Sequence, residues 1–488
     1  MSVPFTSLLI NGQLRPASTE ATFEVRNPYS NKVVGLAAAA SSQDCKDAID
    51  AAARAFGTWE NSPLIARRDV FLKAADLFES EKYRERAKVA LQEETAATDG
   101  MFSSGYLGSV NALRNYAGMV TQLRGETFPS VLEGGYAVAQ RRAIGVVLAI
   151  APWNAPLILS IRAVSLPIIC GNTVVLKCSE NSPRSQALIA ELFDEAGLPN
   201  GVLNFISMAK EDSPMLTAEM IAHPDVRKIN VNDDRIGKII AGEAAKYLKP
   251  CVFELGGKAP VVVLNDADIP RAARAITSSA LLHSGQICMS TERVIIQREA
   301  AVTLIPELTR LFSQIKAGDP HSDPSVALGA LFTEGSAENV VNMIQEAKAA
   351  GAEIILGDGT RKGPVVQPHL LMGVKPGMRL WDQESFGPLA VLAVVDSIDE
   401  AVDLANESSY SLVAALWTQN VNTAFDVAAR IRAGYTNING PTIHGEYMRN
   451  HIGLGGATGY GHFDIDSWSE VRMLIFHSAV APAYPIVG

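Results

Sequence analysis

Ala143-Ile-Gly-Val-Val-Leu-Ala-Ile-Ala-Pro-Trp-Asn154 is the stretch on which the fold turns. From Ala143 to Ile150 it is apolar and β-branched, as suits a strand covered on both faces, and Ala151-Pro152 then breaks it. The same grammar returns downstream. Thr173–Lys177 is a second such run, and Pro183–Ala196 reads as a helix with proline at its start and Gly197 past its end. Val202–Ile206, Pro214–Ala222, Val226–Val231 and Ile236–Leu248 continue as strand, helix, strand and helix. This alternation predicts parallel strands joined by right-handed crossovers, hence an α/β fold with a doubly wound sheet.

A second alternating block starts near Ala259, so a boundary is expected near Glu254. Val261–Leu264, Arg293–Ile296, Ile354–Leu356 and Leu389–Val395 read as its strands. Ile269–Leu282, Ala300–Ile315, Glu338–Ala350, Ile398–Asn406 and Thr423–Ile431 read as its helices. Near the start, Leu8–Gln13 reads as a strand and turn, and Asp44–Trp59 and Leu64–Lys88 as helices. Gly125, Pro129, Gly134 and Gly135 predict a protruding hairpin over residues 120–142. The tail from Arg472 to Gly488 is apolar and carries no charge beyond Arg472, so it is expected to pair with another subunit.

Bulk properties narrow the class. At 488 residues the chain is too long for one core, and two or three domains are expected. Hydrophobic content of 48% and charged content of 19% describe an ordinary globular protein. A net charge of −10 argues against nucleic acid as a partner. The apolar run Ala143–Pro152 is too short to span a bilayer, and no secretory signal is read at the start. Cysteines stand at 45, 170, 178, 251 and 288 without a CxxC pair. That is neither a disulfide framework nor a zinc site, and it suits the cytoplasm.

Chemistry is concentrated in five segments. Ser284-Gly-Gln-Ile-Cys288 and Glu254-Leu-Gly-Gly-Lys258 each follow a stretch of small or apolar residues, and each is expected at the mouth of a sheet. Together they offer what covalent catalysis at a carbonyl needs, a soft nucleophile and a base to activate water. An inert buried cysteine is the competing reading. Ala151-Pro-Trp-Asn154 lies at a strand end, where ligands bind in parallel sheets. The Asn154 amide there suits a developing oxyanion, although Asn and Pro also make plain turns. Lys177-Cys-Ser-Glu180 follows another strand, and Lys177 with Glu180 can grip ribose hydroxyls. The carboxylate would repel a 2′-phosphate, favouring NAD over NADP; a surface ion pair is the plainer alternative. Glu384-Ser-Phe-Gly-Pro388 sets a carboxylate, an aromatic ring and a rigid turn before a strand, for a second ribose and a flat ring or simply as a solvated strand start.

In this order and at these separations, Pro152-Trp-Asn154, Lys177-x-Ser-Glu180, Glu254-Leu-Gly-Gly-Lys258, Gly285-Gln-x-Cys288 and Glu384-x-Phe-Gly-Pro388 resemble the aldehyde dehydrogenase superfamily over nearly the whole chain. Ala151-Pro-Trp-Asn-Ala-Pro156, Arg162-Ala-Val164, Pro167 and Cys170-Gly-Asn-Thr-Val-Val-Leu-Lys177 are similar to the salicylaldehyde, benzaldehyde and vanillin dehydrogenases. The resemblance implies the aldehyde dehydrogenase fold: a Rossmann-like NAD-binding domain (1–119 and 143–253), an α/β catalytic domain (254–434), and an oligomerisation hairpin and tail (120–142 and 470–488). Residues 435–469 would return to the NAD-binding domain and the substrate mouth, and the assembly would be a homodimer or homotetramer.

For the reaction, the resemblance implies that Cys288 attacks a small aromatic aldehyde while the Asn154 amide and the Cys288 N–H hold the oxyanion. Hydride would pass to NAD and leave a thioester, which water activated by Glu254 would cleave. Lys177 and Glu180 would hold the adenosine ribose, and Glu384 the nicotinamide ribose beside Phe386. Ile150, Trp153, Asp233, Gly237, Leu255 and Gly256 would complete the cofactor cradle. Trp153 and Arg162 would face the substrate, with Arg162 meeting a phenolate or ortho-hydroxyl unless it is an ordinary helix-surface arginine. No metal is implied.

The chain departs from the family in two places. The family reads Phe-Thr-Gly-Ser before the helix that receives the cofactor pyrophosphate, whereas here Lys228-Ile-Asn-Val231 runs into Asn232-Asp-Asp-Arg235 and Ile236-Gly-Lys238. Asp and Asn are good helix caps, but a carboxylate at that end opposes a phosphate. A penalty of ~3 kcal/mol would weaken NAD about a hundredfold. Leu454-Gly-Gly-Ala-Thr-Gly-Tyr-Gly461 is shorter than its usual counterpart near the substrate mouth, and His444, His451 and His462 around it lack metal-site spacing. The first departure motivates an alternative: a member with weakened NAD binding that uses Cys288, Asn154 and Glu254 for a cofactor-independent reaction.

Overall fold

Gly145 divides the decisive stretch in two. With φ at +138° it turns the chain, so that Ala143 ends one strand, Tyr136–Ala143, and Val146–Ile150 forms another. The single strand expected from Ala143 to Ile150 is therefore two strands in different sheets. The structure is a computed structural model that describes residues 3–232, 234–320, 323, 325–446, 450–451, 453–479 and 485–486.

Val146–Ile150 is the middle of the five parallel strands in a seven-stranded sheet. Its order is Cys251–Glu254, Val226–Asn232, Val146–Ile150, Thr173–Lys177, Leu203–Ile206, Leu8–Ile10 and Gln13–Arg15. The first five run parallel, and the last two are antiparallel additions at the edge. From Val146–Ile150 the chain steps outward through Thr173–Lys177 and Leu203–Ile206, then crosses to Val226–Asn232 on the other flank. The order thus reverses beside Ile150, and the carboxyl ends there open a crevice. Every residue of Val146–Ile150 and Thr173–Lys177 is buried, as expected of strands covered on both faces.

The second seven-stranded sheet runs Glu353–Leu356, His369–Met372, Leu389–Val395, Thr291–Gln297, Ala259–Val263, Val413–Trp417 and Tyr435–Ile438. Only Glu353–Leu356 is antiparallel to its neighbour. Glu254 closes the first sheet and Ala259 opens the second, with four residues between them. Cys288 precedes Thr291–Gln297, and Glu384–Pro388 precedes Leu389–Val395. The reactive segments therefore gather between the carboxyl ends of one sheet and the amino ends of the other. Glu254 lies at a strand end as expected, whereas Cys288 lies ahead of its strand.

The expected hairpin is present as antiparallel strands Glu126–Pro129 and Tyr136–Ala143. Ser469–Phe476 joins it within the same chain, in register from Ser469 against Ala143 to Phe476 against Tyr136. The start of the tail thus pairs in cis, and its outer edge carries exposed Val471, Met473, Leu474, Ile475 and Phe476. Residues 480–484 and 487–488 of the tail lie outside the described residues.

The helix expected over Leu64–Lys88 is two helices, Leu64–Glu79 and Glu81–Thr95. Ser80 is extended (ψ 151°) and its hydroxyl donates to the Leu77 carbonyl (2.5 Å), a local bond that competes with the helical pattern. Among the described residues no helix is long and apolar enough to cross a membrane.

Candidate active site

Three glycine-containing loops interlock to make the site. Gly285 has φ at +76°, and a Cβ there would run into the Gly387 carbonyl oxygen. Gly257 lies equally close to the Cys288 carbonyl, and its N–H donates to Glu384 Oε1 (3.0 Å). The loops carrying Glu254, Cys288 and Glu384 are thereby held against one another by backbone contact that side chains would prevent. His283 and Ser284, just ahead, both have left-handed φ (52° and 57°), an uncommon conformation for non-glycine residues. Gln286 anchors this bend: its Oε1 accepts from the Phe332 N–H (2.8 Å) and its Nε2 donates to the His283 carbonyl (3.0 Å).

Cys288 is the only one of the five free cysteines that is not fully buried. Burial pushes the thiols of Cys45 and Cys170 up to about 12 and that of Cys251 up to about 11, and it raises Cys178 as well. The Cys288 thiol is also raised, by desolvation and by Glu254, to which it donates a hydrogen bond; Arg162 opposes the shift. In the resting site the sulfur is therefore protonated, with a carboxylate placed to take its proton.

Glu254 is buried and paired with Arg162. Arg162 Nη2 donates to Glu254 Oε2, and also to Asn232 when that amide is turned so that its oxygen faces the guanidinium (2.5 Å). The Phe463 ring lies against the guanidinium, 4.4 Å from Cζ to the centroid. Burial works against the charge of Arg162, but Glu254 and Cys288 hold its pKa above the ordinary value. Arg162 is thus a buried partner of the carboxylate and not a helix-surface residue.

Asn154 is buried, and its Nδ2 donates to the Gln286 carbonyl (3.0 Å), two residues from the thiol. Trp153 stacks on Phe332 (centroids 3.9 Å apart, planes at 18°) and meets Phe386 edge-on at 6.1 Å. These rings make a flat apolar wall beside the Cys288 loop. Phe386 has φ at +51°, another strained position in the segment.

The remaining residues lie along the crevice. Ile150 ends the central strand and is buried. Lys177 ends the neighbouring strand, its Nζ donating to the Cys178 carbonyl (3.2 Å), with Glu180 half-buried just beyond. No described contact joins these two to the Cys288 cluster. Gly237 lies in the helix Asp234–Ala245, and a side chain there would strike Leu255. Gly256 has φ at +121°, which places the chain against the Glu384 carboxylate. Asp233 lies outside the described residues. Leu255 and Phe253 accept the shortened loop as backbone partners, Leu255 N–H to Thr458 O (2.9 Å) and Phe253 N–H to Tyr460 O (2.8 Å).

Sequence reasoning missed Phe332, Phe463, Lys258 and Glu292 as parts of the site, and it read Asn232 only as part of the altered helix start. Lys258 and Glu292 stood within reach, since each lies four residues beyond a quoted reactive residue. Phe332 and Phe463 carried no local signal, because their contacts come from distant parts of the chain.

Comparison with known proteins places the whole chain in one family. The profile of the aldehyde dehydrogenase family matches residues 15–473. A vanillin dehydrogenase from Pseudomonas sp. strain HR199 is 41% identical over 484 residues, covering 98% of this chain and 99% of that protein. A benzaldehyde dehydrogenase [NAD(+)] from Pseudomonas putida is 33% identical over 442 residues, covering 90% and 89%. The crystal structure of a salicylaldehyde dehydrogenase from Pseudomonas putida G7 complexed with salicylaldehyde superposes with a TM-score of 0.95 at 35% identity, covering 99% of this chain and 100% of that one. The chain belongs to the aldehyde dehydrogenase family, and it has the α/β fold of that family.

Proposed function

We propose that the chain oxidises small aromatic aldehydes to carboxylic acids, with Cys288 as nucleophile, Glu254 as base and NAD as the oxidant. The observation that carries this reading is the half-buried Cys288 thiol hydrogen-bonded to the buried Glu254 carboxylate. The Trp153, Phe332 and Phe386 rings beside it suit a flat aromatic substrate, and the relatives named for vanillin, benzaldehyde and salicylaldehyde support that choice.

The residues fit the dinucleotide. Gly237 lets the Asp234–Ala245 helix lie on Leu255, bringing its N-terminus to the strand-order reversal, where anionic phosphates bind. Lys177 and Glu180 stand ready for one ribose, Glu384 for the other, with Phe386 beside the ring and Ile150, Trp153, Leu255 and Gly256 lining the approach. When bound, NAD supplies the hydride acceptor.

The chain's own part is as follows. Cys288 passes its proton to Glu254, and the sulfur adds to the aldehyde carbon. Asn154 Nδ2 and the Cys288 N–H stabilise the oxygen that becomes negative. Loss of hydride from the same carbon leaves a thioester on Cys288. After the hydride has left, Glu254 releases the thiol proton to solvent. As a carboxylate again it takes a proton from water, which attacks the thioester, and sulfur leaves as thiolate with the acid free. No observation favours a cofactor-independent use of the site.

We also propose the domain division 1–119 with 143–253, then 254–434, with the hairpin and tail at 120–142 and 470–488 mediating a homodimer or homotetramer. The exposed edge of Ser469–Phe476 supports self-association. Five free thiols suit a cytoplasmic setting.

The test is reduced-nicotinamide absorbance with vanillin, salicylaldehyde and benzaldehyde, set beside an aliphatic aldehyde. Turnover that prefers the aromatic substrates and vanishes in Cys288→Ala is expected. Tight NAD binding without turnover of any aromatic aldehyde would sink the substrate assignment.

A further inference from the structure

We propose that Arg162 is a positioning residue that holds the Glu254 carboxylate against the Cys288 thiol, so that a buried cation fixes the base of the site. This rests on the reading of Cys288 as nucleophile and Glu254 as base.

The argument starts from how the acidic side chains of the site are held. Glu384 accepts from the Gly257 N–H and Glu292 accepts from the Ser385 N–H, so the backbone fixes both. Among the described residues Glu254 receives no such bond. Its partners are the Arg162 guanidinium and the Cys288 thiol. A glutamate has three rotatable side-chain bonds, and a base that must meet first a thiol and then a water needs one fixed placement. Arg162 provides it from a rigid element. It lies two turns beyond Asn154 on the Pro156–Ile169 helix, with Asn232 on one side and the Phe463 ring against its guanidinium.

The pair is well removed from solvent, with side-chain exposures of 14% for Arg162 and 4% for Glu254. A carboxylate so placed is costly without a counter-charge. Asn232 is also the first residue of the segment that departs from the family pattern. With its amide turned to accept from Arg162, that departure reaches the Glu254 carboxylate as well as the helix start.

The test uses Arg162→Gln and Arg162→Lys, each in the natural sequence and in a Glu254→Gln background, with folding checked by circular dichroism. Stopped-flow measurement of the first hydride transfer separates it from steady-state turnover of vanillin. Arg162→Gln is expected to keep the burst and lower kcat about tenfold, with Arg162→Lys recovering part of the loss. In the Glu254→Gln background Arg162→Gln should cost nothing further, because its partner is gone. An equal loss in both backgrounds, or a raised KM for aldehyde at unchanged kcat, overturns the proposal; the second result would make Arg162 a substrate contact.

A second readout needs no nucleotide. In the Glu254→Gln background the pH profile of Cys288 alkylation by iodoacetamide should move to higher pH on Arg162→Gln, because only the loss of the cation is felt. In the natural sequence the move should be smaller, because a released Glu254 no longer raises the thiol, and equal moves in both backgrounds overturn the proposal. Should Arg162→Gln not fold, Arg162→Lys in the two backgrounds decides the kinetic question. Turnover that survives Cys288→Ala, or hydrolysis unaffected by Glu254→Gln, would instead defeat the underlying reading, whatever Arg162 does.

Discussion

Lys258 and Glu292 form an ion pair with side-chain exposures of 0% and 3%, and they stand 34 positions apart, the same separation as Glu254 and Cys288. Segments 254–258 and 288–292 enter the neighbouring parallel strands Ala259–Val263 and Thr291–Gln297, with Gly257 against the Cys288 carbonyl, so the two pairs lie close together. Glu292 extends the connection to the third loop by accepting from the Ser385 N–H (2.9 Å). The buried pair thus braces the reactive one.

Removing one member of that brace leaves a charge buried alone. Glu292→Leu is expected to destabilise the protein by about 3–5 kcal/mol, whereas the double replacement Lys258→Met with Glu292→Leu should cost clearly less. Urea midpoints of the three variants check this. A double variant as unstable as the single would show that the Ser385 contact, and not the unpaired charge, dominates.

Thiol labelling should single out Cys288. In the native protein iodoacetamide is expected to modify Cys288 first and to leave Cys45, Cys170, Cys178 and Cys251 protected, as peptide mass spectrometry would show. Because the Cys288 thiol is raised, its rate should still be climbing with pH through and beyond the ordinary thiol range, as thiolate replaces thiol. A flat profile over that range would mean that the sulfur is already ionised.

His283 makes stability sensitive to acid. Burial lowers its pKa from 6.5 to about 4, so the native state holds the ring neutral while the unfolded chain protonates it first. Its contribution is intact above pH 6.5 and is lost as pH falls through that window toward 4. The loss amounts to about 3 kcal/mol at most. His283→Gln should narrow the difference between urea midpoints measured at the two ends of the window. An unchanged difference would place the acid sensitivity elsewhere.

Gly285→Ala tests the interlocked loops. A Cβ there must displace the Gly387 carbonyl and adopt a positive φ, so the Cys288 and Glu384 loops are expected to part. Activity should fall by about a hundredfold or more, while the far-UV spectrum is retained. Gly57→Ala, where an added Cβ meets nothing within 4 Å, is the control and should leave kinetics unaltered.

Much of the fold was legible because parallel strands buried on both faces write themselves as short apolar runs. Thr173–Lys177 and Leu389–Val395 have the expected ends, and most helices fall within a few residues of theirs. The misreadings share a cause. Ala143–Ile150 is uniformly apolar, yet one glycine φ divides it between two sheets. Leu64–Lys88 keeps a helical pattern across Ser80, where a side-chain bond ends one helix.

In the site, sequence spacing pointed to Cys288, Glu254 and Asn154, because their segments carry distinctive residues beside strand ends. It left open what Arg162 touches. The side chain's reach to Glu254, and the closure by Phe463, depend on the packing of three remote segments.

Residues 255–258 span the gap between the strand that Glu254 closes and the strand that Ala259 opens. Glu254 therefore rides on a joint between two slabs and not deep within either. A small tilt of one slab against the other is felt there as a change of lever angle, before any core contact is lost. Mild denaturant should accordingly extinguish activity while most of the secondary structure persists, making turnover a finer strain gauge for this fold than its melting temperature.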